Sequence, residues 1–167
     1  MSKTSILFVC LGNICRSPVA EGVFRQKIED AGLVEDVMVD SAGTAPWHVG
    51  KSPDSRMVRA AMTRGYDLTP LRARQAIASD FEKFDHIIAM DKENHANLQA
   101  ISPVNPHAHL SLFLDYAEGV AETEVPDPYF GGTEGFYHVI DLVENASDGL
   151  IKTLDLKKSQ KRPDNKG

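Results

Sequence analysis

The chain has 167 residues, 42% of them hydrophobic, with 18 Lys and Arg against 24 Asp and Glu for a formal net charge of −6. That length suits one domain burying roughly two thirds or more of its unfolded surface, and the acidic balance excludes the basic face of a nucleic-acid-binding protein. No run approaches the ~18 apolar residues of a membrane span and no charged leader precedes an apolar core, so a cytoplasmic protein without stable membrane association is expected.

Ser5-Ile6-Leu7-Phe8-Val9 is a short, continuous apolar run, the pattern of a strand buried on both faces, and a strand is predicted over Thr4–Val9. The next segment reads Cys10-Leu11-Gly12-Asn13-Ile14-Cys15-Arg16-Ser17-Pro18. Ser17 reads as a helix N-cap with Pro18 at the first helical position. Apolar residues then recur at Val19, Ala20, Val23, Phe24, Ile28 and Ala31, which predicts a helix over Pro18–Ala31. Further strands are predicted at Val37–Asp40, His86–Met90 and His109–Leu112. The accompanying helices are Pro53–Arg64, Asp91–Ala100 and a long one from about Thr133 to Leu154, with Gly32 and Gly65 as C-caps.

This alternation implies a single-domain α/β fold, a four-stranded parallel sheet covered by helices on both faces with right-handed crossovers. In such sheets a ligand sits beyond the carboxyl ends of the strands, where strand order reverses. The segments leaving those ends are Cys10–Ser17, Ser41–Ser52, Asp91–Asn94 and Phe113–Gly132, and they carry every candidate functional residue. The domain is expected over residues 1–156, with the polar, basic stretch 157–167 as a frayed tail.

At a strand-to-helix junction the free backbone N–H groups and the positive end of the helix dipole hold an anion without special side chains. Gly12 and Asn13 tolerate the left-handed dihedrals that curl those N–H groups inward, and Arg16 adds a planar fork matched to two phosphate oxygens. Positive surroundings of this kind lower a cysteine pKa from about 8.5 to roughly 3.5–7.5, so Cys10 is expected to be an ionised nucleophile. A free cysteine at a strand end can also be a small buried hydrophobe. Cys, Gly, Asn, Arg and Ser-Pro arriving together at one junction favour the reactive reading. Cys10 and Cys15 are the only two cysteines. They lie too close in sequence for a disulfide to stabilise much and lack histidine partners for zinc. No metal site and no cofactor is expected.

The segment Cys10–Pro18 resembles the signature loop of the low-molecular-weight protein tyrosine phosphatases. The likeness continues, in the family's order, through Asp40-Ser41-Ala42-Gly43-Thr44, Trp47, Pro53-Asp54-Ser55-Arg56, Ala73-Arg74-Gln75, Met90-Asp91 with Asn94, and Asp127-Pro128-Tyr129. Cys-x5-Arg alone occurs on several unrelated phosphatase folds; joined to a carboxy-terminal Asp-Pro-Tyr it is highly specific. The resemblance implies a flavodoxin-like, Rossmann-like sheet of strand order 2-1-3-4. It also implies a phosphoric monoester hydrolase acting on phosphotyrosine proteins or small aryl phosphates through a cysteinyl-phosphate, as a monomer or weak dimer.

The implied phosphate-binding loop is Leu11, Gly12, Asn13, Ile14, Cys15, Arg16 and Ser17. Cys10 is the implied nucleophile. Expelling a phenolate whose conjugate acid has a pKa of about 10 calls for a proton donor, and Asp127 is the candidate. Pro126 and Pro128 each restrict the residue before them to extended conformations; an aspartate beside proline can equally be a turn residue. Ser17 is expected to donate to the Cys10 sulfur, Asn13 to brace the loop, and Ser41, by resemblance, to bond to Asn13. Asp91 takes a structural place with Asn94. Cys15 either packs under the loop or, as in the family, bonds to an oxidised Cys10 and shields it.

Trp47, the only tryptophan, can stack on a phenyl ring or simply anchor its loop. With Tyr129 and Phe130 it would wall a slot that admits phosphotyrosine and is too deep for phosphoserine. Two departures from the family stand out: Phe130 replaces a second tyrosine, and Leu71 stands where relatives often carry histidine. Arsenate reductases of this fold need further cysteines downstream, and arginine phosphatases usually have threonine where Ile14 stands. A module that only binds phosphorylated ligands is disfavoured by Cys10, Arg16 and Asp127 together.

Overall fold

Ile6 and Phe8 point to one side of the first strand and Leu7 and Val9 to the other, and all four are fully buried. Each side therefore needs its own cover. In the computed structural model, which describes residues 3–129 and 131–156, the first layer is α1 (Arg16–Asp30), α2 (Ser55–Thr63) and α5 (Thr133–Thr153), packing Val23, Phe24, Val139 and Val143 against Ile6 and Phe8. The second is α3 (Asp80–Lys83) and α4 (Lys92–Ile101), which set Phe81 and Leu98 against Leu7 and Val9. At about 1.5–3 kcal/mol per large apolar side chain buried, the two layers fix the sheet between them.

The sheet has four strands in the order β2 (Val37–Gly43), β1 (Thr4–Cys10), β3 (His86–Ala89), β4 (His109–Leu112), with every pair parallel. Order and helical cover are those expected. The order reverses at β1, so the loop leaving Cys10 sits at the switch point. Gly32 (φ 73°) and Gly65 (φ 90°) end α1 and α2 in left-handed caps, Gly32 N–H donating to Glu29 O at 3.0 Å and Leu33 N–H to Ile28 O at 2.9 Å.

The differences lie at element ends. β2 runs three residues beyond Asp40, through Ser41, Ala42 and Gly43, because it stays paired with β1 up to Cys10. Gly43 also bridges to Gln75, its N–H donating to Arg74 O at 2.8 Å and its carbonyl accepting from Ala76 N–H at 2.8 Å. Ser, Ala and Gly carry little intrinsic strand preference; their partners decide. α1 begins at Arg16, two residues before Pro18, and β3 stops one residue before Met90. α3 and the 3₁₀ turn Phe113–Tyr116 are too short for a periodic signal. Residues 157–167, the expected tail, lie outside the described residues.

Candidate active site

The loop between β1 and α1 is only Leu11–Cys15, so the last strand residue and the first helical turn face each other across it. Asn13 takes the left-handed conformation, φ 58°, which turns its N–H toward the Cys10 sulfur at 3.3 Å. Gly12, expected to share that conformation, does not adopt a positive φ. Its lack of a side chain matters for space instead, since a Cβ there would come within 2.9 Å of His48 Cδ2.

Ser17 is not the helix cap it was expected to be. Cys15 occupies that position with no side-chain cap bond, so the first-turn N–H groups are left for a ligand. The Ser17 hydroxyl lies 3.0 Å from Cys10 Sγ and 3.2 Å from Ala42 O. Asn13 Nδ2 donates to Ser17 Oγ at 2.8 Å and to Ser41 Oγ at 3.1 Å, while its Oδ1 accepts from Arg74 N–H at 3.0 Å. The expected Ser41–Asn13 bond is thus present.

Ser41 in turn donates to Glu21 Oε1 at 2.7 Å. The Glu21 carboxylate is 4% exposed and ion-paired with Arg25. Burial pushes its pKa up against the pull of Ser41 and Arg25. Leu71 packs, partly buried, against the hydrophobic core.

Arg16 is 3% exposed. Its Nη1 donates to Asp91 Oδ2 at 2.7 Å and to Val125 O at 3.1 Å, and its Nη2 stands 3.8 Å from Asp127 Oδ2. Burial opposes its charge; Cys10, Asp91 and Asp127 outweigh that and hold its pKa above the usual arginine value. Asp91 also caps α4, accepting Asn94 N–H at 2.7 Å, which is the structural place expected of it. The Asn94 side-chain amide is buried with no hydrogen-bond partner among the described residues.

Asp127 completes the pocket from the far end of the sequence. Its segment is tied down where Val125 N–H donates to Met90 O at 2.9 Å, and its Oδ1 accepts Tyr129 N–H at 3.1 Å. Cys10, Leu11, Gly12, Ile14, Cys15, Arg16, Trp47, His48, Asp127 and Tyr129 line one pocket. Trp47 and Tyr129 form its rim, 66% and 39% exposed. Phe130, the third expected wall residue, lies outside the described residues. Cys15 is packed in the core beneath the loop, where burial first, then the charges of Asp54, Cys10 and Asp127, hold its thiol well above the usual cysteine range. Among the described residues no cluster of His, Cys, Asp or Glu could hold a metal.

Four residues in and around this site were not singled out as site residues from sequence: Glu21, Gly43, His48 and Arg74. The signal for Glu21 was there, since helical spacing puts it on the buried stripe with Ser17 and Phe24. At Gly43 a Cβ would meet Leu11 O at 2.8 Å and the Gly12 carbonyl carbon at 3.0 Å, a constraint that no local pattern carries.

Fold and pocket define an α/β protein with a cysteine on the floor of a tight strand-to-helix loop at the sheet's switch point. The family model described as low molecular weight phosphotyrosine protein phosphatase matches residues 5–161. A putative low molecular weight protein-tyrosine-phosphatase of Synechocystis is 49% identical over 89% of this chain and 95% of its own. The low molecular weight phosphotyrosine protein phosphatase of Schizosaccharomyces pombe is 42% identical over 89% and 96%. The crystal structure of a protein tyrosine phosphatase from Entamoeba histolytica superposes with a TM-score of 0.88 at 42% identity, covering 92% of this chain and 97% of that one. The chain belongs to the low molecular weight phosphotyrosine protein phosphatase family.

Proposed function

We propose that this protein hydrolyses phosphotyrosine in proteins, and small aryl phosphates, by a two-step mechanism on Cys10. The observation that carries the reading is the pocket itself: a sulfur on its floor, a buried guanidinium beside it, a carboxylate across from it and an aromatic rim. The loop N–H groups from Leu11 to Ser17 and the open face of Arg16 hold the non-bridging phosphate oxygens. The Cys10 thiolate attacks phosphorus, the S–P bond forms as the P–O bond breaks, and Asp127 gives its proton to the departing phenolate. Water then attacks phosphorus and Asp127 takes its proton. The S–P bond breaks, releasing phosphate and restoring the thiolate. Ser17 and the Asn13 N–H steady the sulfur while it carries charge.

Trp47 and Tyr129 flank the phenyl ring, and Ile14 and Trp47 favour an aryl over a guanidino phosphate. No helix of the described residues is long and apolar enough to cross a membrane. Two free, buried cysteines suit a reducing compartment, and we place the protein in the cytoplasm as a monomer or weak dimer. In that setting peroxide converts the Cys10 thiolate to the sulfenic acid. The Cys15 thiol then displaces water from it to give a Cys10–Cys15 disulfide, which cellular thiols reduce.

Steady-state turnover of phosphotyrosine, phosphoserine and phosphoarginine peptides by one preparation tests the function. Phosphotyrosine is expected to dominate, with chelator making no difference. Phosphoserine or phosphoarginine turned over as fast overturns the reading.

A further inference from the structure

We infer that Arg56 is a positioning residue that clasps the rim and the acid of the pocket to its phosphate-binding floor. A chain of contacts carries this. The guanidinium is locked to Asp54 by two bonds, Nε to Oδ1 at 3.1 Å and Nη2 to Oδ2 at 2.9 Å. Asp54 is itself part of the floor, since its N–H donates to Ile14 O at 2.8 Å while its carboxylate caps α2 through Arg56 N–H at 2.8 Å. From that anchor the guanidinium carbon lies 4.9 Å from the ring centroid of Phe136 in α5 and 5.2 Å from that of Tyr129. Both are within the ~6 Å over which a cation is attracted to an aromatic face. Finally, the Tyr129 N–H holds Asp127 Oδ1 at 3.1 Å, so a shift of the tyrosine carries the carboxylate with it.

Arginine is the residue this geometry calls for. A planar fork can pair with a carboxylate along one edge and present its faces to rings, which a lysine ammonium cannot do. The arrangement also makes Tyr129 the middle of a stack: Arg56 lies against its ring, and the pocket that receives the substrate phenyl lies beside it. Asp127 is 44% exposed and approaches Arg16 no closer than 3.8 Å, so its placement depends on the neighbouring tyrosine more than on the floor.

The inference rests on Asp127 being the general acid, and its test separates the two ideas. Arg56→Met and Arg56→Lys are compared with wild type and Asp127→Asn on phosphotyrosine and on an activated nitrophenyl phosphate, with inhibition by inorganic phosphate as a control for the floor. Arg56→Met is expected to lose about 10-fold in rate on phosphotyrosine and clearly less on the nitrophenyl ester, because a displaced acid matters most when the leaving oxygen is basic. Inhibition by phosphate stays within about twofold of wild type, and Arg56→Lys restores only part of the loss. In the Asp127→Asn background, Arg56→Met adds no further difference between the two substrates. An equal loss on both substrates, or no loss, with Asp127→Asn still separating them, overturns the role of Arg56 alone. If Asp127→Asn itself fails to separate them, the reading of Asp127 falls and this inference falls with it.

Discussion

The floor and the rim of the pocket differ in how many bonds hold each residue. Cys10, Asn13, Arg16 and Ser17 are between 0% and 3% exposed, and Asn13 alone makes three side-chain hydrogen bonds to separate elements. At the rim Trp47 is 66% exposed, and Asp127 is held by one backbone bond and a distant guanidinium. The floor is shaped before any ligand arrives, as electrostatic preorganisation requires. The rim sits on loops whose side chains can change without refolding the floor. The floor is therefore set by the fold, and the rim is left to a few side chains.

The sharpest break in that contrast is Cys10→Ser. It leaves the floor's N–H groups and Arg16 in place, so turnover is expected to vanish while phosphate or a phosphotyrosine peptide still binds by calorimetry. Full turnover by this variant would show that the chemistry runs elsewhere.

Asp127→Asn is the rim's counterpart. It is expected to cost about 10²–10⁴-fold on phosphotyrosine, the range of a positioned general acid, and less on nitrophenyl phosphate, with the basic limb of the pH–rate profile gone. Equal losses on both substrates with that limb intact would move the search to Asp91.

Asn13 probes the floor's stability. Asn13→Ala leaves Ser17, Ser41 and the Arg74 N–H short of partners and puts an alanine at φ 58°. A loss of about 2–4 kcal/mol in chemical denaturation is expected, from unsatisfied buried groups and left-handed strain together. Asn13→Gly removes the strain and keeps the loss of bonds, so it is expected to be less destabilised. If glycine and alanine prove equally unstable, the backbone contribution is nil.

The smallest effect tests the seam between the two regions. Bonding to Arg56, foremost, holds the Asp54 carboxyl below its usual range. Its folded pKa is depressed, so the stability it contributes is present above the unfolded value of about 3.9 and is lost as pH falls through the folded value. Asp54→Asn is expected to flatten the melting temperature against pH on the acidic side, below about pH 4. An acid limb as steep as wild type would leave the pair without a stabilising share.

How much of this was legible in the sequence follows from distance along the chain. Strand, tight loop and helix around Cys10 and Arg16 lie within a few residues of each other, so local apolar patterning sufficed to place that junction. Helix ends at Gly32 and Gly65 were legible for the same reason, since a left-handed cap is a local property. Ser17 shows where local reading stops: its contact with the Cys10 sulfur was expected, but the cap role was not kept, because Asn13 and the Ala42 carbonyl, from elsewhere in the chain, share its hydroxyl. Gly43 and Arg74 were beyond local reach because their partners are Leu11 and Asn13; for Glu21 the buried helical position was legible, and only its bond to Ser41 needed strand pairing and helix packing.

The sequence by itself determined the α/β pattern, the strand-to-helix loop that carries Cys10 and Arg16, and the list of groups able to do chemistry, because each depends on neighbours a turn or a strand apart. Only the tertiary structure decided that Asp91 and Val125 hold Arg16, that Asp127 faces it across the pocket, and that Arg56 joins rim to floor. Those contacts span long stretches of chain, and they exist because burying both faces of a parallel sheet brings its strand ends to one edge.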